Sequence, residues 1–151
     1  MTTSAKVFID TNALIRATVA TAPLHTEANR TITRLYEDGV ELWISRQVLR
    51  EYLVNIMRDQ SYAQPVAPEV AVSQVKAFEE RFRVADETAQ VTQQLLALIR
   101  QYPMGGKQIH DANIVATMLV YGIGALFTHN ISDLKRFSDI VTLIPLGATS
   151  P

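Results

Sequence analysis

Hydrophobic residues fall along this chain in short continuous blocks separated by longer amphipathic stretches. The alternation predicts strands and helices in turn. Val7-Phe8-Ile9 is the first block, rich in strand formers, and it ends abruptly at Asp10-Thr11-Asn12. A continuous apolar run of this kind suits a strand buried on both faces, as in the middle of a parallel sheet. Leu42-Trp43-Ile44 marks a second strand over 41–45, 82–85 a short one, 125–128 another core strand and 140–146 the last. Between them the period changes to that of helices. A short helix over 12–18 is broken by 21–23. The next runs over 25–38 with Ala28, Ile32 and Leu35 on one face and Gly39 just past its end. The helix from 46 to about 59 carries a strong stripe of Val48, Leu49, Tyr52, Leu53, Ile56 and Met57, with Ser45 as its N-cap and Glu51 at the stripe's edge.

After a loop over 61–68 with two prolines, Pro68 is placed to open a helix to 80, with Val70, Val72, Val75 and Phe78 as its apolar residues. Asp86 can cap a helix to 102, with Val91, Leu95, Leu98 and Ile99 inward, and 103–106 breaks it. The segment 109–121 is the most buried helix expected: from Ile114 to Tyr121 only Thr117 is polar. Gly122 and Gly124 end it, and 131–137 gives a short helix before the last strand. There is no repeat, linker or low-complexity segment. The expectation is one α/β domain over 1–151, with a central parallel sheet of about four or five strands.

Composition narrows the classes. With 151 residues, 48% hydrophobic and 19% charged, the chain is globular rather than disordered. No apolar run reaches membrane-span length, and the N-terminus shows no signal-peptide pattern. Without cysteine there are no disulfides or thiolate metal sites. These features lead to the expectation of a cytoplasmic protein. The net charge of −1, from 14 Lys and Arg against 15 Asp and Glu, does not advertise nucleic-acid binding. Any such binding needs a local patch, for which Arg46, Arg50, Arg58, Lys107, Lys135 and Arg136 are the candidates; Arg46 and Arg50, four apart, share a helix face.

The acids carry the chemistry. Asp10 closes the first strand at the sheet edge where ligands bind in open α/β folds, although Asp is also a favoured helix cap. Asp111 lies in the first turn of the most apolar helix, on one face with Val115 and Met118. The helix N-terminus would stabilise it there without any functional role. Thr128, Asn130 and Asp133 follow another core strand on the same edge as Asp10, and Glu51 joins them if its helix packs alongside. Clustered carboxylates repel, and no Lys or Arg is adjacent in sequence to Asp10 or Asp111. A divalent cation would compensate. Oxygen-only ligands favour Mg²⁺ or Mn²⁺, whereas His25, His110 and His129 lack the paired spacing of a zinc site. Such clusters typically serve phosphoryl chemistry. Gly-rich phosphate loops, Gly-x-Ser-x-Gly and Cys nucleophiles are absent. The haloacid-dehalogenase-type phosphatases use two aspartates spaced by one residue, and here the second slot is Asn12.

In sum of motifs the chain resembles the PIN-domain ribonucleases, and among them the VapC-type toxins of bacterial toxin–antitoxin pairs. The likeness spans nearly the whole chain. It rests on Val7-Phe8-Ile9-Asp10-Thr11-Asn12, on Ser45-Arg46-Gln47-Val48-Leu49-Arg50-Glu51-Tyr52, on His110-Asp111-Ala112-Asn113-Ile114-Val115-Ala116, and on Leu126-Phe127-Thr128-His129-Asn130, in this order. It implies a PIN-like three-layer fold and a Mg²⁺- or Mn²⁺-dependent endoribonuclease. The implied catalytic and metal-binding acids are Asp10, Glu51 and Asp111, with Asp133 as a further metal candidate; Thr11, Asn12, Thr128 and Asn130 would be supporting polar residues. The family often places a fourth acid where this chain has Asn130. Arg46, Arg50 and Lys107 are the candidate RNA contacts. The resemblance also implies a homodimer, an antitoxin protein as partner and a structured RNA, of the tRNA or rRNA class, as substrate. Two readings compete: a non-catalytic RNA- or protein-binding module on the same fold, and a metal-dependent small-molecule phosphatase.

Overall fold

The computed structural model describes residues 5–146. Strand β1 (Lys6–Ile9) lies at the centre of a five-stranded sheet of order β3-β2-β1-β4-β5. Its neighbours are β2 (Glu41–Ser45) and β4 (Ala125–Thr128), with β3 (Arg83–Ala85) and β5 (Thr142–Pro145) at the edges. Every pairing is parallel: Phe8 sits opposite Trp43 on one side and Leu126 on the other. This central position explains the unbroken apolar run, because Phe8 and Ile9 are fully buried and a side chain on either face meets a helix layer.

The helices flank the sheet in two groups. Helix α1 (Thr11–Thr18) packs on α2 (His25–Glu37) and on α3 (Arg46–Ile56), which meets α4 (Pro68–Arg81); α5 (Ala89–Gln101) packs on α6 (Ile109–Tyr121). Helix α6 holds Ala112, Ile114, Val115, Ala116 and Met118 at 2% exposure or less, so it is the buried helix its composition predicts. Gly122 ends it at φ 68°, a left-handed cap that costs glycine little, and the Ile123 amide donates back to the Met118 carbonyl at 2.9 Å. No helix of the described residues is long and apolar enough to cross a membrane.

Several local expectations are corrected. Helix α1 starts at Thr11 rather than Asn12, because Asp10 itself is the N-cap. Helix α3 stops at Ile56, and Met57 is 44% exposed, because the chain turns back there: the Val66 amide donates to the Ile56 carbonyl at 2.9 Å. Val70 and Val72 of α4 are both 54% exposed, and only Ala71 and Phe78 of that helix are buried. Thr88, not Asp86, caps α5: its hydroxyl accepts from the Val91 amide, while Asp86 pairs with Arg46. Ile99 faces outward at 39% exposure. The segment 131–137 divides into one α-turn, α7 (Ile131–Leu134), and a 3₁₀ turn (Lys135–Phe137). The final strand is confined to β5, with Ile140 and Val141 in the turn that feeds it; their amides donate to the Phe137 carbonyl.

Candidate functional site

The parallel topology sends every strand's C-terminal end to one edge, and β1 and β4 are neighbours there. The Asp10 amide extends their ladder by one bond, donating to the Phe127 carbonyl at 2.9 Å. The backbone then leaves the strand at φ −69°, ψ 156°, and α1 begins. The two Asp10 oxygens divide the work. Oδ1 accepts the Thr11 amide at 2.8 Å, which is the cap; Oδ2 accepts the Thr128 hydroxyl at 2.8 Å and the Asn12 amide nitrogen at 3.4 Å. Capping and convergence on the edge are therefore not alternatives. At 5% exposure the Asp10 carboxyl is pushed up to about 6. Burial is the main cause, opposed by the bonds from Thr128 and Thr11 and reinforced by the negative charges of Asp111 and Glu51.

Glu51 reaches the same edge from α3. Its Oε1 accepts the Thr11 hydroxyl at 2.6 Å, and its Oε2 accepts Gln47 Nε2 at 3.0 Å. Gln47 is buried; it also donates to the His110 carbonyl at 2.9 Å and accepts from Asn113 Nδ2 at 2.7 Å. Three helices are thus tied by side chains around Glu51. A search for charged residues passes over Gln47 and Asn113. No periodic signal marks Gln47, which falls ~100° from Val48 and outside the apolar stripe of α3; its burial in the fold is what requires partners for the amide.

Asp111 is half-buried in the first turn of α6, and its carboxyl is raised by burial first, then by Asp133 and Glu51; His110 and Arg136 oppose the rise. Asn130 Nδ2 donates to Asp111 Oδ2 at 3.4 Å, and the Asn130 amide donates to the Thr128 hydroxyl at 2.9 Å. The Thr128 hydroxyl therefore accepts from Asn130 and spends its proton on Asp10. Asn12 fixes the same turn from the other side, accepting the His129 amide at 2.8 Å. Asp133 is exposed, and among the described residues its carboxylate makes no hydrogen bond, so it neither caps nor braces α7. Its influence on Asp111 is electrostatic.

The structure brings Asp10, Glu51, Asp111, Thr11, Asn12, Thr128 and Asn130 into one connected edge. The candidate RNA contacts are differently placed. Arg46 is committed to Glu79 at 2.7 Å and Asp86 at 3.2 Å, and Arg50 to Glu87 at 3.5 Å; exposed pairs of this kind are weak. Lys107 is exposed in the 3₁₀ turn (Gly106–Gln108) leading into α6. Two other cations act on residues of this edge. Arg136 opposes the rise of Asp111, and Arg16, one turn after Asn12 on α1, joins burial in holding His129 below its usual value. Arg16 was not singled out by its sequence context; its Nε is buried and has no hydrogen-bond partner among the described residues.

As a set of donors these side chains suit a hard divalent ion: all are oxygens, and their mutual repulsion is what a cation relieves. Among the described residues, no three acidic or histidine side chains stand close enough to hold an ion by themselves. The protein's share of such a shell is partial.

The chain is similar to known proteins in sequence and in fold. Ribonuclease VapC48 of Mycobacterium tuberculosis is 26% identical over 133 residues, covering 87% of this chain and 91% of that protein. A toxin–antitoxin complex from Klebsiella pneumoniae contains a chain of the same fold, with TM-score 0.63 and 20% identity over 91% of this chain and 95% of that one. VapC20 of Mycobacterium tuberculosis, a sarcin–ricin loop cleaving toxin, gives TM-score 0.62 and 21% identity over 83% and 92%. The PIN domain family model matches residues 7–139, from β1 through the turn after β4 that carries Asn130 and Asp133, and the chain belongs to the PIN-domain family.

Proposed function

We propose that this chain is a Mg²⁺- or Mn²⁺-dependent endoribonuclease, acting as the toxin of a toxin–antitoxin pair. One observation carries the reading: a buried aspartate at the C-terminal edge of the central strand, pushed up to about 6 and surrounded by two further acids. Capping α1 accounts for Asp10 and a helix N-terminus favours Asp111, but neither role calls for the acids to share one edge, as a cation-binding site does. The ribonuclease activity in the name of VapC48 and the sarcin–ricin loop cleavage in that of VapC20 support an RNA substrate, whose class in this proposal is structured tRNA or rRNA. The Klebsiella pneumoniae complex supports an antitoxin partner. A homodimer remains part of the proposal.

Asp10, Asp111 and Glu51 would supply part of the ion's shell, which water or RNA phosphate oxygens would complete, with Asp133 contributing from its exposed position. A bound hard dication supplies positive charge beside the scissile phosphate and lowers the pKa of water. The protein's own residues do the rest. Thr128 and Asn12 orient the second oxygen of Asp10 away from the cap. Thr11 and Gln47 place a donor on each oxygen of Glu51 and so fix the orientation of its carboxylate. Asn130 sets a neutral donor against Asp111 where an acid would add charge. Arg136 beside Asp111 and Arg16 beside His129 are cations able to meet phosphate. In-line displacement by water breaks the bond from phosphorus to O3′ and leaves a 5′-phosphate and a 3′-hydroxyl. Cleavage through the RNA's own 2′-hydroxyl needs a paired acid and base, and His25, His110 and His129 lie on separate elements.

The test is cleavage of structured RNA by the purified chain with Mg²⁺ or Mn²⁺, with EDTA and Asp10→Asn as controls and p-nitrophenyl phosphate as a competing substrate. Metal-dependent cutting with 5′-phosphate ends by mass spectrometry is expected. Cyclic-phosphate ends that persist in EDTA, turnover of the small ester alone, or full activity of Asp10→Asn would overturn the reading.

A further inference from the structure

Six polar or charged side chains are buried among the described residues: Asp10, Thr11, Ser45, Gln47, Thr117 and Thr128. Five have an immediate account. Asp10 and Ser45 cap helices, Thr117 bonds back to the Asn113 carbonyl of its own helix, and Thr11 and Thr128 donate to the acids beside them. Gln47 does not fit these classes. It sits on the packed side of α3 beside Val48 and Leu49, where an apolar residue would avoid the cost of burying an amide.

Its bonding is complete and leaves no freedom. Nε2 has two protons, and they meet two acceptors that cannot donate, Glu51 Oε2 at 3.0 Å and the His110 carbonyl at 2.9 Å. Oε1 meets a donor, Asn113 Nδ2, at 2.7 Å. Turning the amide over would set oxygen against oxygen twice and nitrogen against nitrogen once, so its orientation is fixed by chemistry. The consequence is a rigid span from Glu51 on α3 to the first turn of α6, one residue before Asp111. The Thr11 hydroxyl completes the span on the α1 side.

We propose that Gln47 is a positioning residue: it sets the Glu51 carboxylate against Thr11 and fixes the first turn of α6, and with it Asp111, at one separation from Glu51. The inference rests on the ribonuclease reading and names the residue that holds two of its acids in register. Gln47→Met keeps a similar volume and removes all three bonds. Positioning predicts that the fold is retained, that kcat falls by about 10- to 100-fold with KM little changed, as for other residues that orient ligands from behind, and that a metal-free crystal structure shows the Glu51 carboxylate displaced from Thr11. Val48→Ala, a cavity beside Gln47 on the same helix, controls for lost stability; it should lower Tm while leaving kcat unchanged at a temperature where the protein is folded. An unmoved Glu51, a wild-type kcat in Gln47→Met, or an equal kcat loss in Val48→Ala would overturn the proposal. If the wild type cuts no RNA, the ribonuclease reading fails instead, and the position of Glu51 in the Gln47→Met crystal still decides whether Gln47 positions it.

Discussion

Asp10→Asn should stabilise the metal-free protein at neutral pH, against the usual direction of a buried substitution. The Asp10 carboxyl moves from 3.8 to about 6 on folding, and at 1.36 kcal/mol per pH unit the ionised form carries a penalty of about 3 kcal/mol in the folded state. The sign follows from proton binding. Between roughly pH 4 and 6 the folded state holds a proton that the unfolded state has lost, so wild-type stability falls as pH rises through this window. Below 3.8 the acid is neutral in both states and the penalty vanishes. Asn cannot titrate, so the difference between variant and wild type isolates this group. The amide keeps the cap to the Thr11 amide, but its NH₂ faces the Thr128 hydroxyl and the Asn12 amide, at a cost of about 1 kcal/mol. The net gain above pH 6 is then about 2 kcal/mol, or roughly 4–8 °C in Tm for a chain of this size. Calorimetric melting in EDTA from pH 4 to 8 measures it. A variant less stable than wild type at pH 7.5, or a difference that does not grow between pH 4 and 6, would refute the reasoning about burial and repulsion.

Other outcomes follow from the same geometry. Asp133→Ala should weaken Mn²⁺ only a few-fold by calorimetry, because Asp133 acts on Asp111 through the field rather than through a bond; a loss as complete as that of Asp10→Asn would make it a direct ligand. Asn130→Asp places a carboxylate within about 3.4 Å of Asp111 Oδ2, so it should cost about 1–3 kcal/mol in chemical denaturation without metal and tighten Mn²⁺ about tenfold. Arg16→Ala should raise KM for RNA several-fold with kcat nearly intact, since its charge acts on His129 in the turn that follows β4; an unchanged KM would assign Arg16 to the turn it makes with the Pro23 carbonyl at 3.2 Å.

The sheet was legible because a buried parallel strand has a signature that needs no partner. Val7-Phe8-Ile9 and Leu126-Phe127 are apolar on both faces, and each run stops at the polar residue that starts the functional edge. Where the reading failed, the deciding contact was not local. Asp86 is as good a cap by type as Thr88, yet Arg46, forty residues earlier, pairs with it. Val70 and Val72 obey the apolar half of a helical period, but α4 lies at the margin of the molecule and buries a narrow stripe only. The end of α3 depended on the return of the chain at Val66, which no propensity at 57–59 announces.

The site shows the same division more sharply. Asp10 and Thr128 are 118 residues apart, and their bond was foreseeable once both were placed at the ends of parallel core strands, because topology alone delivers both ends to one edge. Glu51 and Asp111 sit on helices, where a rotation of ~100° per residue fixes the face but not the neighbour. Their meeting depends on how α3 and α6 cross, and the contact that joins those helices is made by two amides, Gln47 and Asn113, which carry no charge to attract notice. Gln47 lies outside the apolar stripe of α3, so its sequence position does not reveal that it is buried and needs partners. The placement of the acids at one edge could therefore be read from sequence, while the bonds that join α3 to α6 beside them could be read only from the three distances around Gln47. That asymmetry is physical. Charge is costly to bury and so marks itself wherever it occurs, whereas a neutral donor and acceptor that satisfy each other leave the surrounding pattern almost undisturbed.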